Sequence, residues 1–179
     1  TRREGLFRVV AEGNSHRVEA VQPPGIGAEA RIQSMAVGRE GRVWMASTHG
    51  LLLREKGEWR WLGQAQGLKS EALTAVHERP GGEVWVSYED VQGLSRFRFE
   101  EGRLVLQQHM DRAQGFSAPK AYFMREDALG RLWIGTSQGV VLCDRNGFHP
   151  FSAADGLPGD DCNGSAFLAR YDSTGKLSW

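Results

Sequence analysis

Four segments recur along the chain, each a glycine turn followed three or four residues later by tryptophan. They read GRVWMASTHG from Gly41, GEVWVSYEDVQG from Gly82, GRLWIGTSQG from Gly130, and GKLSW from Gly175, the last one residue out of step. The four tryptophans, Trp44, Trp85, Trp133 and Trp179, stand 41, 48 and 46 residues apart. In the three complete copies the tryptophan core is apolar, carries no charge and favours the β conformation. It is closed by turns on both sides and is too short for a helix. A period in the forties with one tryptophan per unit and no helical stretch restricts the chain to a β-propeller blade or a related all-β repeat.

Each unit supplies four strands. In the first, Ile32 to Val37 is read as a strand because it aligns with the first strands of later units. Arg39-Glu40-Gly41 makes the turn, and the Trp44 strand, Leu51 to Arg54, and Trp59 to Leu62 follow. The second runs through Ala72 to Glu78, Val84 to Ser87, Leu94 to Phe99 and Leu104 to Leu106. The third runs through Tyr122 to Arg125, the Trp133 strand, Val140 to Cys143 and Phe148 to Phe151. Leu94 to Phe99, LSRFRF, alternates strictly and reads as half-exposed. Leu6 to Val10 and His16 to Val21 look like the back half of a unit. Phe167 to Arg170 and the Trp179 segment look like the front half of another. The expected architecture is an all-β propeller fragment of four-stranded antiparallel blades, three whole and two half. Its units are 1–29 (half), 30–68, 69–116, 117–158 and 159–179 (half). A second phrase separates the units: Pro24-Gly25-Ile26, Gln66-Gly67-Leu68, Gln114-Gly115-Phe116 and Asp155-Gly156-Leu157-Pro158. There glycine allows the turn and the next apolar side chain can tuck between blades.

A blade is covered on both faces by its neighbours, so its inner strands should be apolar almost throughout. One tryptophan per blade fills the gap between twisted sheets, and its ring N–H needs an acceptor. The structural set is therefore Trp44, Trp85, Trp133 and Trp179, with the turn glycines Gly41, Gly82, Gly130 and Gly175.

Composition bounds the partners. Lys plus Arg and Asp plus Glu both number 22, and the formal net charge is zero. Nucleic acid or an acidic membrane as the main partner would call for a basic excess. No uncharged apolar run reaches the ~18 residues that a membrane span needs. The first residues, TRREGLFRVV, lack a secretory leader's apolar core, so the protein is cytosolic or its leader lies outside the sequence. Cys143 and Cys162 are 19 residues apart, which is no metal spacing, and two free thiols are expected.

The copy at Asp127-Ala128-Leu129-Gly130-Arg131-Leu132-Trp133-Ile134-Gly135-Thr136-Ser137-Gln138-Gly139-Val140, with Asp155-Gly156-Leu157-Pro158 after it, resembles the two-component regulator propeller repeat. The other copies depart from it. Ala46-Ser47 replaces Gly-Thr in one, and Ser87-Tyr88 with a longer loop replaces it in the other. The resemblance implies the periplasmic sensor half of a membrane-anchored bacterial signalling protein, with a β-sandwich, a membrane helix and a kinase or cyclase output beyond it. It also implies more blades than are seen here, so the chain looks like a fragment. It could close on itself as four blades or pair with a second copy, either of which would cover open sheet edges.

Candidate binding residues lie in the loops after the tryptophan strands and near the crossovers. These are His49, Tyr88, Glu89, Asp90, Lys120, Tyr122, Gln138, Asp160, Asp161 and Asn163. Inserted loops on a rigid scaffold are where binding tends to reside. The histidines show no metal-binding spacing, and neither a P-loop, a dinucleotide fingerprint nor a nucleophile elbow occurs. No cofactor or metal is expected. The leading expectation is a non-catalytic module that senses a small molecule or carbohydrate. The alternatives are a propeller lyase using a loop histidine and a metal, or a scaffold that binds only protein. For the lyase, His49 would need a second histidine or a carboxylate within ~3 Å.

Overall fold

The structure is a computed structural model. It describes residues 6–25, 27, 30–157 and 159, and strand backbone at 170–171 and 177–178. Strands β1 (Leu6–Glu12) and β2 (Ser15–Val21) form a hairpin. Three four-stranded antiparallel sheets follow, each in sequential order. The first is β3 (Ile32–Val37), β4 (Val43–Ser47), β5 (Gly50–Glu55) and β6 (Glu58–Leu62). The second is β7 (Leu73–Glu78), β8 (Glu83–Tyr88), β9 (Leu94–Glu100) and β10 (Arg103–Met110). The third is β11 (Ala121–Glu126), β12 (Leu132–Thr136), β13 (Gly139–Asp144) and β14 (Gly147–Phe151). Strands β15 (Arg170–Tyr171) and β16 (Leu177–Ser178) form a separate pair. The first strands converge: β7 lies against both β3 and β11, and β3 and β11 also approach each other. The three sheets radiate from that axis as blades.

Trp44, Trp85 and Trp133 each sit on the second strand of their blade. Gly41, Gly82 and Gly130 have φ of 72°, 86° and 72° in the turns before those strands. Gly175 and Trp179 lie outside the described residues. Strands β4 and β8 are buried along nearly their whole length, as two-sided packing requires. One apolar cluster lies between the first and second blades, with Trp44, Leu53 and Leu62 against Val76, Val84 and Phe97. A second lies between the second and third, with Trp85 and Leu94 against Met124, Leu132 and Ile134. Alternation in β9 thus sorts side chains between two neighbouring blades. Leu94, Arg96 and Arg98 share one face, and Ser95, Phe97 and Phe99 the other, which corrects the half-exposed reading of this strand.

The Trp44 ring is fully buried, packs edge-on against Phe99 at 5.1 Å, and donates its Nε1–H to the Glu78 carboxylate at the end of β7. Arg42 holds the same carboxylate at 2.8 Å. Glu78 is thereby a buried anion with two donors, and removing one partner from such a pair costs about 3–5 kcal/mol.

The crossovers are more ordered than expected. Each of the three after a complete blade begins with one 3₁₀ turn, at Gln64–Gln66, Arg112–Gln114 and Ala153–Asp155. The side chain at its third position bonds back to the amide that precedes it: Gln66 to Gly63, Gln114 to Asp111 and Asp155 to Ser152. A left-handed glycine follows, and then a buried anchor: Leu68, Phe116 or Leu157. The Pro24-Gly25 copy differs, since Trp61 Nε1 donates to the Pro24 carbonyl at 2.7 Å. Strand β10 runs on to Met110, past the expected Leu106, through a bulge between Leu106 and Gln108.

One glycine position explains the end of the repeat phrase. Gly50 and Gly139 open the third strand of their blades, and Gly93 immediately precedes it in the second; φ at Gly50, Gly93 and Gly139 is 119°, 105° and 104°. Each lies against the last carbonyl of its fourth strand, on Leu62, Met110 and Phe151. A Cβ on Gly139 would collide with the Phe151 carbonyl as well as straining the backbone. Gly139→Ala is therefore expected to cost about 1–3 kcal/mol, measured as a fall in the urea midpoint at unchanged slope.

Candidate functional site

Antiparallel order places the loops after β4, β8 and β12 on the side where the crossovers enter. His49, Glu89, Asp90 and Gln138 lie in those loops, and the structure joins two of the residues expected to bind: Lys120 Nζ, ahead of β11, pairs with Glu89 Oε1 in the loop after β8. That hydrogen bond and the Glu89 charge raise the Lys120 pKa. The pair links the second blade to the third, but it is exposed, and such pairs contribute only about 0–1 kcal/mol. The Ala121 amide reinforces the link by donating to Ser87 Oγ at 3.2 Å. Ser47 and Thr136, at the same position in the other blades, close their own short loops by donating to Gly50 and Gly139 carbonyls at 2.8 Å. The longer second-blade loop frees Ser87 for its neighbour.

That loop is tied down. Tyr88 is fully buried, so the expected loop-face tyrosine is an interior residue. Its hydroxyl accepts from Lys69 N and donates to Ser95 Oγ, which reaches His109 Nδ1 at 3.0 Å. His109 Nε2 meets the Gln92 carbonyl at 3.0 Å, and a carbonyl can only accept, so Nε2 carries a proton, which in the neutral ring leaves Nδ1 as the acceptor. The chain is polarised in one direction, which strengthens each bond in it. Burial raises the Tyr88 pKa and keeps the phenol protonated.

The other candidates stand apart. Asp90 is exposed in the loop after β8, Tyr122 is half-buried in β11, and Gln138 is exposed in the loop after β12. His49 is exposed, and its Nδ1 meets Thr48 Oγ1 at 2.9 Å. Among the described residues no histidine or carboxylate pairs with it. Asp160, Asp161 and Asn163 lie outside the described residues.

A cavity of about 850 Å³ lies in the wedge between the second and third blades. Arg79, Trp85 and Arg96 line it from the second blade, and Leu129, Cys143 and Phe148 from the third. Its volume falls within the range of small-molecule sites. Arg79 bridges the wedge, with its Nε 3.1 Å from Glu126 and its Nη2 2.7 Å from the Gly130 carbonyl. His77 lies 3.8 Å from the same Glu126. Burial pushes the Cys143 thiol up, so it is a poor nucleophile. Two sequence signals bear on this wedge: the longer loop after β8, and an arginine at position 96 where the neighbouring blades carry leucine.

No protein family's sequence profile matches the chain, and no curated protein is similar to it by sequence. Solved structures are similar in fold. The extracellular domain of the hybrid two-component system BT3049 from B. thetaiotaomicron aligns at TM-score 0.65 and 13% identity, over 83% of this chain and 20% of that one. The fold is a β-propeller's. The extracellular domain of BT4673 from the same organism aligns with this propeller at 0.65 and 15%, over 98% of this chain and 26% of that one. Virginiamycin B lyase from Staphylococcus aureus aligns at 0.63 and 12%, over 98% and 63%. The propeller described here thus spans a fifth to a quarter of the two extracellular domains. Among the described residues no helix is long and apolar enough to cross a membrane.

Burial lowers the His77 pKa below 6.5, helped by Arg125 and Arg79 and opposed by Glu126. The unfolded chain then binds the proton more tightly, so stability is full above pH 6.5 and falls as pH drops toward the depressed folded value. His77→Gln should flatten that slope in urea titrations between pH 7 and 5; an unchanged slope would assign it to another group.

Proposed function

We propose that this chain is part of an extracytoplasmic propeller that binds a small molecule and reports it by movement of one blade against another, without turning it over. The observation that carries this reading is a cavity held between two blades that polar contacts join at both ends. Ser87, Ala121, Lys120 and Glu89 link the second and third blades on the crossover side, Arg79 links them to Glu126 and Gly130 on the other, and the cavity lies in the wedge of the same junction. A ligand in such a wedge has more contact with one inter-blade angle than another, and differential contact is what shifts a conformational equilibrium. The likeness to extracellular domains of two-component systems supports the compartment and the signalling context. Fuller blade cover, in cis or from a second copy, suits the exposed Phe7, Val9, Val18, Met35 and Val37.

The fold likeness to a lyase keeps an enzyme as the second reading. It is the weaker one, because a positioned base needs an orienting partner and, among the described residues, the ring of His49 meets only a neighbouring threonine. A thermal-shift screen of carbohydrates and small metabolites separates the two. Binding at 100 times Kd should add about 2.7 kcal/mol of stability, with the compound recovered unchanged. Consumption of a stabilising compound would overturn the sensing reading.

A further inference from the structure

Four side chains form a transverse row across the second blade: His77, Trp85, Arg96 and Gln108 are register partners on β7, β8, β9 and β10. They share the face turned to the third blade. The matching row of the first blade is Ala36, Trp44, Leu53 and Arg60. That of the third is Arg125, Trp133, Leu142 and His149. Leu53 and Leu142 are both buried. In the second blade alone an arginine stands at this apolar position, directly beside the tryptophan.

The tryptophans differ in the same way. Trp44 Nε1 donates to the Glu78 carboxylate, and Trp133 Nε1 donates to Asp127 Oδ2 at 2.9 Å. The Trp85 ring is 2% exposed, yet among the described residues its Nε1–H meets no acceptor. Arg96 Nε is also buried without one. The rest of that guanidinium is lightly held, 3.4 Å from Gln108 Oε1 and 3.6 Å from Glu83. Glu126, which occupies the place Glu78 holds in the preceding junction, is committed to Arg79 at 3.1 and 3.4 Å. Leaving buried donors unpaired is costly, and a carboxylate is what meets the indole N–H of the other two tryptophans, Glu78 from the next blade for Trp44 and Asp127 from its own blade for Trp133.

We propose that the wedge between the second and third blades binds a ligand carboxylate, held by the Trp85 indole N–H and the Arg96 guanidinium. This rests on the sensing reading and names its ligand class as a small acid, for example an acidic sugar. An arginine fork beside a second donor suits a planar carboxylate. Arg79, although paired with Glu126, and Arg131 and Arg145 on the far wall make the lining predominantly basic, with Asp144 its one carboxylate among the described residues. Trp85 and Arg96 both line the cavity, and their two unpaired nitrogens are buried. The carboxylate therefore reaches them as the blades part, which couples occupancy to the movement that sensing requires.

The test is a titration of the full chain with D-glucuronate, D-gluconate and D-glucose, followed by the indole N–H signals of its six tryptophans. Trp85→Phe assigns the reporting signal. At least one of the two acids should move the Trp85 signal, and glucose should not. Arg96→Leu places the residue of the neighbouring blades, so the fold should persist while acid affinity falls about tenfold or more. Arg96→Lys should recover part of it. Equal response to glucose, an unchanged titration in Arg96→Leu, or a Trp85 signal unmoved by both acids would each overturn the proposal. A neutral ligand bound elsewhere would leave the sensing reading standing without this one. An acid bound at Trp85 and then consumed would do the reverse.

Discussion

The Trp44 indole is closed in between two sheets, and its N–H ends on a carboxylate that belongs to the neighbouring sheet and is shared with Arg42. Neither blade completes that arrangement alone. A β-sheet with two apolar faces is stable only when both are covered, and in a radial array each cover is another copy of the same unit. The burial pattern follows from this. The second blade, with a neighbour on each side, is buried along β7 and β8. The β1–β2 hairpin leaves Phe7, Val9 and Val18 exposed. Cooperative stability therefore rises toward the middle of the array, where inter-blade surface is greatest.

Within that frame the second blade is the exception. Its longer loop releases Ser87 from local turn closure to hold the next blade, and the Tyr88–Ser95–His109 chain fixes the loop against its own body. Its row of residues facing the third blade carries histidine and arginine where the first blade has alanine and leucine. Those changes replace apolar contact in the middle of the junction with polar groups, while polar links join its two ends. Departures from a repeat that costs nothing elsewhere in the chain are where function is best sought, because packing alone favours the repeat.

The architecture was legible because its signal is periodic. Strand positions, tryptophan placement and turn glycines all follow from residues that recur at matching offsets, and the structure puts Trp44, Trp85 and Trp133 on equivalent strands. The 3₁₀ crossovers were equally open to reading, since Asp111 with Gln114 and Ser152 with Asp155 have the spacing of a capping box. The site was harder. Tyr88 sits in a loop-like position by sequence but is drawn inward by Ser95 on the next strand and by Lys69, 19 residues earlier. Arg96 looked like one polar residue of a half-exposed strand. Its meaning appears only when register sets it opposite Trp85 and against Leu53 and Leu142 in the sibling blades. Local pattern reveals which face a residue takes, but not which neighbour covers that face.

Native-state hydrogen exchange, followed strand by strand, tests the central claim most directly. If mutual cover between blades supplies the stability, amides of β7 and β8 will exchange most slowly, and those of β1–β2 will exchange through local opening. Protection of β1–β2 equal to that of β8, or uniform protection across the three blades that ignores their neighbours, would contradict the account.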